Sequence, residues 1–174
     1  MSNIKVWLGS LAAYNSGTLS GRWVTLPLEP EELNEEIDDI LKVGGGEEID
    51  VFDLDCSIDG IYSDISQLGL NKLNAVAQRF ENLKEYQRDN FAIIIQVTDS
   101  IEEAFKVLEE ERALILSNVE DEADLSIEHI SEFSSLEIPK EIEPFFDHTA
   151  HGRYLTHSGW KLVGRPYNVA ICID

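Results

Sequence analysis

Basic residues are scarce in this sequence of 174 residues. Only 13 Lys and Arg stand against 34 Asp and Glu, which gives a formal charge of -21 at pH 7. Proteins that bind nucleic acids need a basic surface that displaces counterions from phosphate groups, and anionic membrane surfaces also attract basic segments. We therefore expect a protein that binds neither nucleic acid nor membrane.

Long apolar runs and a secretory leader are also lacking. No stretch approaches the roughly 18 apolar residues of a membrane span, and the segment 1–5 has no basic region followed by an apolar stretch. The two cysteines, Cys56 and Cys172, lie far apart in the sequence, which is typical of reduced packing residues in a cytoplasmic chain. We expect a cytoplasmic location.

Apolar residues are plentiful, in contrast to the basic ones. They make up 43% of the chain, which is enough for a packed core and unlike a disordered acidic tail. Residues 47–70 carry 7 acids and no base, and residues 101–144 carry 14 acids and 3 bases. The stretch 71–100 balances at 4 and 4, and residues 145–174 have 2 acids and 3 bases. Folded elements, not a tail, therefore carry the charge.

The periodicity of the apolar residues predicts an α+β fold. Residues 91–97 fit either a buried strand or a buried helical turn. The final helices are an acidic one with Leu125, Ile130 and Phe133 on one side and a short one that Pro139 opens. The predicted strands are 4–8, 23–28, 49–58, 113–116, 160–163 and 167–173, and the other predicted helices are 30–42, 70–83 and 101–112.

Motifs for catalysis are missing. The sequence has no Gly-x-Ser-x-Gly elbow, and the glycine run 44–46 lacks the Lys-Ser/Thr of a phosphate-binding loop. We expect no enzyme, no catalytic residue and no cofactor. One alternative is a metal-dependent enzyme that uses Asp147, His148, His151 and His157, because side chains three apart share a helix face. The simpler interpretation is that these histidines pack at a helix end or a subunit contact.

The sequence Asp55-x-Ser57-x-Asp59-Gly60 imitates the opening of an EF-hand calcium loop. That loop needs a bidentate Glu at its twelfth position, which is Ser66 here, and a preceding helix, where the alternation predicts a strand. We therefore expect no metal site. The alternative function is an acidic calcium-binding or protein-interaction module, built around Asp53, Asp55, Asp59 and Asp64.

The negative charge exceeds what solubility requires. A small domain needs a net charge of magnitude about 2–8, and a larger one destabilises the fold by self-repulsion. Duplex DNA carries one charge per roughly 1.7 Å, so 21 net charges correspond to about 36 Å of duplex. Carboxylates stand about 5–6 Å apart at helical spacing and about 6.8 Å apart on a strand face.

These spacings predict an acidic surface that imitates the phosphate array of DNA. Its predicted members are Glu31, Glu32, Glu35, Glu36, Asp38, Asp39, Asp53, Asp55, Asp59, Glu102, Glu103, Glu109, Glu110, Glu120, Asp121, Glu122, Asp124, Glu128 and Glu132.

Two motifs resemble the ArdA family of antirestriction proteins. The first is Tyr14-Asn15-x-Gly17-x-Leu19-x-Gly21-Arg22-Trp23. The second, which we name the antirestriction motif, resembles a motif of that family and comprises Ile138, Pro139, Ile142, Phe145, Phe146, Asp147, Ala150, His151, Gly152 and Arg153.

The resemblance implies an elongated chain of three small subdomains that imitates bent B-form DNA. They would span residues 1–61, 62–112 and 113–174, with short antiparallel sheets in the terminal parts and a helical middle. Such proteins are encoded on mobile genetic elements, occupy the DNA-binding groove of type I restriction–modification enzymes (specificity and modification subunits) and inhibit restriction, sometimes also modification. They act as homodimers, and the antirestriction motif lies near the subunit contact.

Overall fold

The computed structural model describes residues 4–58, 60–133 and 136–174. The chain divides into two compact units, one up to Ala92 and one from Ile93. Each unit contains one antiparallel three-stranded sheet together with helices, so the predicted α+β class is confirmed. The division into three subdomains, at residues 61 and 112, stays a prediction. Within the described ranges, every helix is too short or too polar to cross a bilayer.

The first unit is built on a sheet in the order β2-β1-β3. Val6 and Leu8 of β1 and Val24 and Leu26 of β2 point to one face and are buried. Helix α2 contacts the sheet and contributes the buried Leu33 and Ile40. The elements are β1 (Ile4–Ser10), α1 (Leu11–Asn15), β2 (Gly21–Leu26), α2 (Pro30–Gly44), β3 (Ile49–Cys56), α3 (Tyr62–Ile65), α4 (Leu70–Asn82) and α5 (Glu85–Ile94), which crosses the unit boundary.

An irregularity in β3 changes the alternation that the sequence predicts. The pairing with β1 shifts between Trp7 and Leu8, so that Val51, not Phe52, lies opposite Leu8. The Phe52 ring instead packs against Tyr14, with ring centroids 4.9 Å apart. It also covers Gly9, where a Cβ atom would lie 2.7 Å from the ring. Position 9 therefore requires glycine because the ring fills the space of a side chain.

The second unit pairs its strands in the order β4-β6-β5. Helices α7 and α8 pack against each other. The buried cluster contains Leu116, Val119, Leu125, Leu155, Trp160 and Ala170, with Cys172 against it. The elements are α6 (Ile101–Glu109), β4 (Ala113–Ser117), α7 (Glu122–Glu132), a short 3-10 helix (Glu143–Phe145), α8 (His148–His157), β5 (Lys161–Val163) and β6 (Val169–Ile173).

Gly152 lies where α8 meets the start of α7. A Cβ atom at this position would overlap the backbone of Glu122, including its carbonyl group. The absence of a side chain at Gly152, which is buried, therefore sets how closely the two helices approach.

Two local predictions are resolved by the structure. Residues 91–97 are not a strand, because α5 continues to Ile94 and turns follow it. The prediction that a helix opens at Pro139 is wrong. Pro139 is followed by a turn and the 3-10 helix Glu143–Phe145, and the regular helix α8 begins at His148. Asp147 caps α8 by accepting a hydrogen bond from the backbone N–H of Ala150 at 2.9 Å.

Candidate functional site

Helix α2 carries the first group of predicted acids, on the side away from its buried Leu33 and Ile40. Glu31, Glu35 and Asp38 are all exposed and follow one another at spacings of four and three residues. Side chains at these spacings lie on one face of a helix, about 5–6 Å apart. We name these three residues the α2 acid row. In the described part of the chain no ion pair involves them.

The neighbouring acids of α2 are partly neutralised. Arg22 on β2 forms ion pairs with Glu36 at 2.6 Å and with Asp39 at 3.6 Å. Lys42 contacts Asp39 at 2.9 Å. Lys42, and then Arg22, lower the pKa of the Asp39 carboxyl. Glu32 has a structural role as well, since it accepts the backbone N–H of Glu29 at the start of the helix.

Strand β3 presents Asp53 and Asp55 on the face opposite its buried contacts. Both are exposed, and the register places them across from Trp7 and Lys5 of β1. Asp53 Oδ1 accepts the backbone N–H of Leu54 at 2.8 Å, which orients this carboxylate. The predicted Asp59 lies outside the described residues.

The acids around α6 are organised by one arginine. Arg112 contacts Glu103 and Glu110, each at 2.8 Å, and donates to the backbone carbonyl of Asp174. The hydrogen bond to Glu103 raises the pKa of the Arg112 guanidinium above its usual value. Glu102 and Glu109 are exposed. The charge of this group is therefore reduced but not cancelled.

The acids at the start of α7 serve partly as helix caps. Asp121 accepts the N–H groups of Ala123 and Asp124, and Asp124 accepts the N–H of Glu120 at 3.0 Å. Carboxylates at a helix N-terminus are stabilised by its free N–H groups and dipole. The remaining predicted acids of this helix, Glu122, Glu128 and Glu132, are exposed or half-buried.

All these acids have one property in common. No acidic residue in the part of the chain that the structure describes is buried. The buried polar side chains there are those of Ser10, Gln87 and Ser126. Each unit therefore presents its carboxylates at or near its surface.

The antirestriction motif divides into an exposed and a packed part. Phe145 is 85% exposed and Ile142 is 53% exposed, which is unusual for large apolar side chains. Pro139, Ala150 and Arg153 are exposed and Ile138 is half-buried. Phe146 contacts the rings of His148 and His151, with centroids 4.8 and 5.8 Å away. The motif thus combines a packed base with free apolar side chains.

A buried hydroxyl joins two histidines of α8 to α7. Ser126 Oγ lies 2.9 Å from Nδ1 of His148 and 2.9 Å from Nδ1 of His151. The single hydroxyl hydrogen can be donated to one ring only, so the other ring must donate its own Nδ1–H. When both rings are neutral, they must therefore be different tautomers. Sequence reasoning missed Ser126, although a serine among the apolar residues of an amphipathic helix is a signal for such a bond.

The structure bears on both metal-binding alternatives, the histidine site of α8 and the calcium-like segment after β3. The Nδ1 atoms of His148 and His151 are both engaged by Ser126, and His157 Nδ1 lies 2.7 Å from the carbonyl of Arg153. Among the described residues, no group of three or more His, Cys, Asp or Glu side chains has an arrangement for a metal ion. The strand β3 precedes the calcium-like segment, so the helix that an EF-hand requires is replaced by a strand.

His129 extends the histidine cluster and has a predictable pH effect. It contacts Trp160 and His151, with ring centroids 5.6 and 6.1 Å away. Burial, and then the charge of His151, lower the pKa of His129. The unfolded chain therefore binds more protons than the folded one below about pH 6.5. This contribution to stability is complete above that pH and is lost as the pH falls through the lower, folded pKa.

We expect that the free energy of unfolding of wild type falls between pH 7.5 and 5.5, and that the part of this fall caused by His129 is absent in H129F. Phe at this position fits a site lined by rings and has no proton to bind. Urea unfolding at pH 7.5 and 5.5 should show that wild type loses stability relative to H129F, and that H157Q, at the exposed His157, behaves as wild type. Protonation of carboxylates affects all three proteins alike. Equal pH dependence of wild type and H129F would contradict the assignment.

Fold and site together define an acidic protein whose candidate site is a surface and not a pocket. The described functional groups are carboxylates spread over helices and a strand, with a motif of exposed apolar side chains in the second unit. In each unit this arrangement suits the electrostatic attraction of a cationic partner.

The model of the antirestriction protein family ArdA matches residues 6–167. The chain therefore belongs to the ArdA family of antirestriction proteins, and the resemblance that the two motifs indicate is confirmed. No curated protein matches the chain.

Proposed function

We propose that this protein is a DNA mimic that occupies the DNA-binding groove of a type I restriction–modification enzyme, at its specificity and modification subunits, and inhibits restriction. The protein acts without catalytic residues. The coarser part of this function, an antirestriction protein, follows from the family. The finer part is supported by the placement of the carboxylates.

The observation that carries the proposal is that no described acid is buried while the chain has a net charge of -21. A groove built for DNA is lined by Lys and Arg, and bound anions neutralise it when it is empty. A surface of carboxylates mounted on folded elements displaces these anions, which favours association, and the field of the surface raises the association rate at low salt. The α2 acid row has the spacing of about 5–6 Å that such an array needs.

The same proposal includes the assembly and location of the protein. It forms a homodimer in the bacterial cytoplasm and belongs to a mobile element. Two anionic chains repel each other through their acidic faces, so the contact must use a surface of low charge. The exposed Phe145 is the first residue of the near-neutral stretch 145–174, and the exposed Ile142 precedes it by three residues. Sedimentation should therefore give twice the chain mass of 19.6 kDa.

A competition experiment tests the proposed function. The purified protein is added to a type I methyltransferase core with bound fluorescent duplex DNA. We expect displacement of the DNA at low salt and a steep loss of displacement between about 50 and 300 mM salt, because the interaction is mainly electrostatic. Failure to displace DNA, or an affinity independent of salt, would disprove the mimicry. A protein of similar size and a net charge near zero serves as the control for nonspecific displacement of the DNA.

A further inference from the structure

The outer face of the first sheet combines indole rings with carboxylates. Trp23 on β2 pairs with Trp7 on β1, and Asp53 on β3 lies across from Trp7. One row further along the strands, Thr25, Lys5 and Asp55 are aligned in the same order. Neighbouring strands are about 4.8 Å apart, so Trp7 lies one strand from Asp53 and Trp23 lies two strands from it. A long bound side chain that crosses Trp7 can therefore contact both an indole ring and a carboxylate.

The two indole rings form a platform in which Trp23 is exposed and Trp7 is half-buried, with its Nε1 atom buried. Their centroids are 5.9 Å apart at an interplanar angle of 76°. Trp23 is 46% exposed. The buried core of the unit lies on the other face of the sheet, with Val6 and Leu8. The platform therefore has no role in that core.

The carboxylates beside the platform are available for a partner. Asp53 Oδ1 accepts a hydrogen bond from the backbone N–H of Leu54. This bond fixes the orientation of the carboxylate and leaves its other oxygen, Oδ2, for a partner. Lys5 lies across from Asp55, but within the described residues no ion pair joins them. Both aspartates and Lys5 are exposed. The face has one positive and two negative groups, so it attracts a cation.

The chemistry of this face favours arginine over lysine. A guanidinium group stacks on an indole ring and donates in-plane hydrogen bonds to a carboxylate at the same time. An ammonium group is more strongly hydrated and has no planar surface to stack. A uniform phosphate-like array would need carboxylates only, so the indole pair calls for a separate explanation.

We propose that this face, made of Trp7, Trp23, Asp53 and Asp55, is a docking site for an arginine side chain of the target protein. The stacked ring provides affinity that salt does not screen, in addition to the salt-sensitive attraction of the acidic surface. The proposal rests on the proposed function for the identity of the target, and the site deepens that function by adding a specific anchor to a general charge match.

The first test measures binding to a type I methyltransferase core over a range of salt concentrations. We expect W23A to bind about three- to thirtyfold more weakly at every salt concentration, with an unchanged slope of log affinity against log salt. The double variant D53N/D55N should instead have a shallower slope. W23F, which keeps a ring, should bind better than W23L, which is equally apolar. Y62A, at another exposed aromatic residue of the same unit, is the matched control.

Other results would overturn the proposal. Wild-type affinity of W23L would show a simple apolar contact, and a loss below twofold for W23A would show that the ring has no part in binding. A change in the sedimentation mass of W23A would assign the face to a contact between two copies of the chain. Thermal unfolding of each variant ensures that folded proteins are compared.

A second measurement separates this proposal from the proposed function. If wild type does not bind the methyltransferase core, the proposed function fails, and the site is tested with hexa-arginine and hexa-lysine peptides through tryptophan fluorescence. We expect at least threefold tighter binding of the arginine peptide by wild type and no such preference in W23L. Equal binding of both peptides by wild type would refute the arginine site.

Discussion

G152A is expected to lower the free energy of unfolding of the second unit by about 3 kcal/mol or more. Alanine normally stabilises a helix relative to glycine, by about 1 kcal/mol. Here the added Cβ atom would overlap the backbone of Glu122, and backbone atoms cannot rotate away as a flexible side chain can. Helices α7 and α8 would have to separate, which would also disturb the bonds from Ser126 to His148 and His151.

The matched control for this prediction is G164A in the same unit. No atom lies within 4 Å of a Cβ atom built at Gly164, and the residue does not have a positive φ. Its effect should be within about 0.5 kcal/mol of zero. Urea unfolding followed by circular dichroism measures both variants. If G152A is as stable as G164A, the close approach of α7 and α8 is not required by the fold.

Neutralising the α2 acid row should have the largest effect on binding. The triple variant E31Q/E35Q/D38N removes three exposed carboxylates that have no ion-pair partner among the described residues. Exposed ion pairs contribute about 0.2–1 kcal/mol each, so the loss of three should weaken binding to the methyltransferase core by roughly three- to 150-fold at low salt. The loss should shrink as salt rises, because screening weakens the same interactions in wild type.

The control has the same net charge but a different position. The variant E81Q/E85Q/D89N removes three negative charges, as the α2 variant does, but from exposed acids of the charge-balanced stretch 71–100. If the positions of the carboxylates matter, this variant should bind more tightly than the α2 variant. Equal losses would show that net charge alone determines affinity and that the α2 acid row is not part of a structured array.

Much of the secondary structure could be predicted because its causes are local. Helix α2 begins at Pro30, which suits the first helical position, and its regular turns end at the glycine run, where Gly45 adopts a φ of 73°. Ser100 caps α6 by accepting a hydrogen bond from the backbone N–H of Glu103. The ends of these elements depend on residues within one or two helical turns of each other.

Features that depend on contacts distant in sequence could not be predicted. The shift in β3 that places Phe52 over Gly9 depends on the pairing of two strands about forty residues apart in the chain. The connection of Ser126 to His148 and His151 depends on how closely α7 and α8 pack. The pairing of Arg22 with Glu36 and Asp39, and of Arg112 with Glu103, likewise required the fold.

The sequence by itself determined the excess of acids, their mounting on helices and a strand, and the family, because composition, periodicity and two motifs are properties of the linear chain. Only the tertiary structure decided which carboxylates are neutralised, which cap helices and which stay available, because ion pairs and caps form between atoms that folding brings within a few ångströms. It also placed Trp7 between Trp23 and Asp53, since strand register, not sequence distance, sets the neighbours on a sheet face.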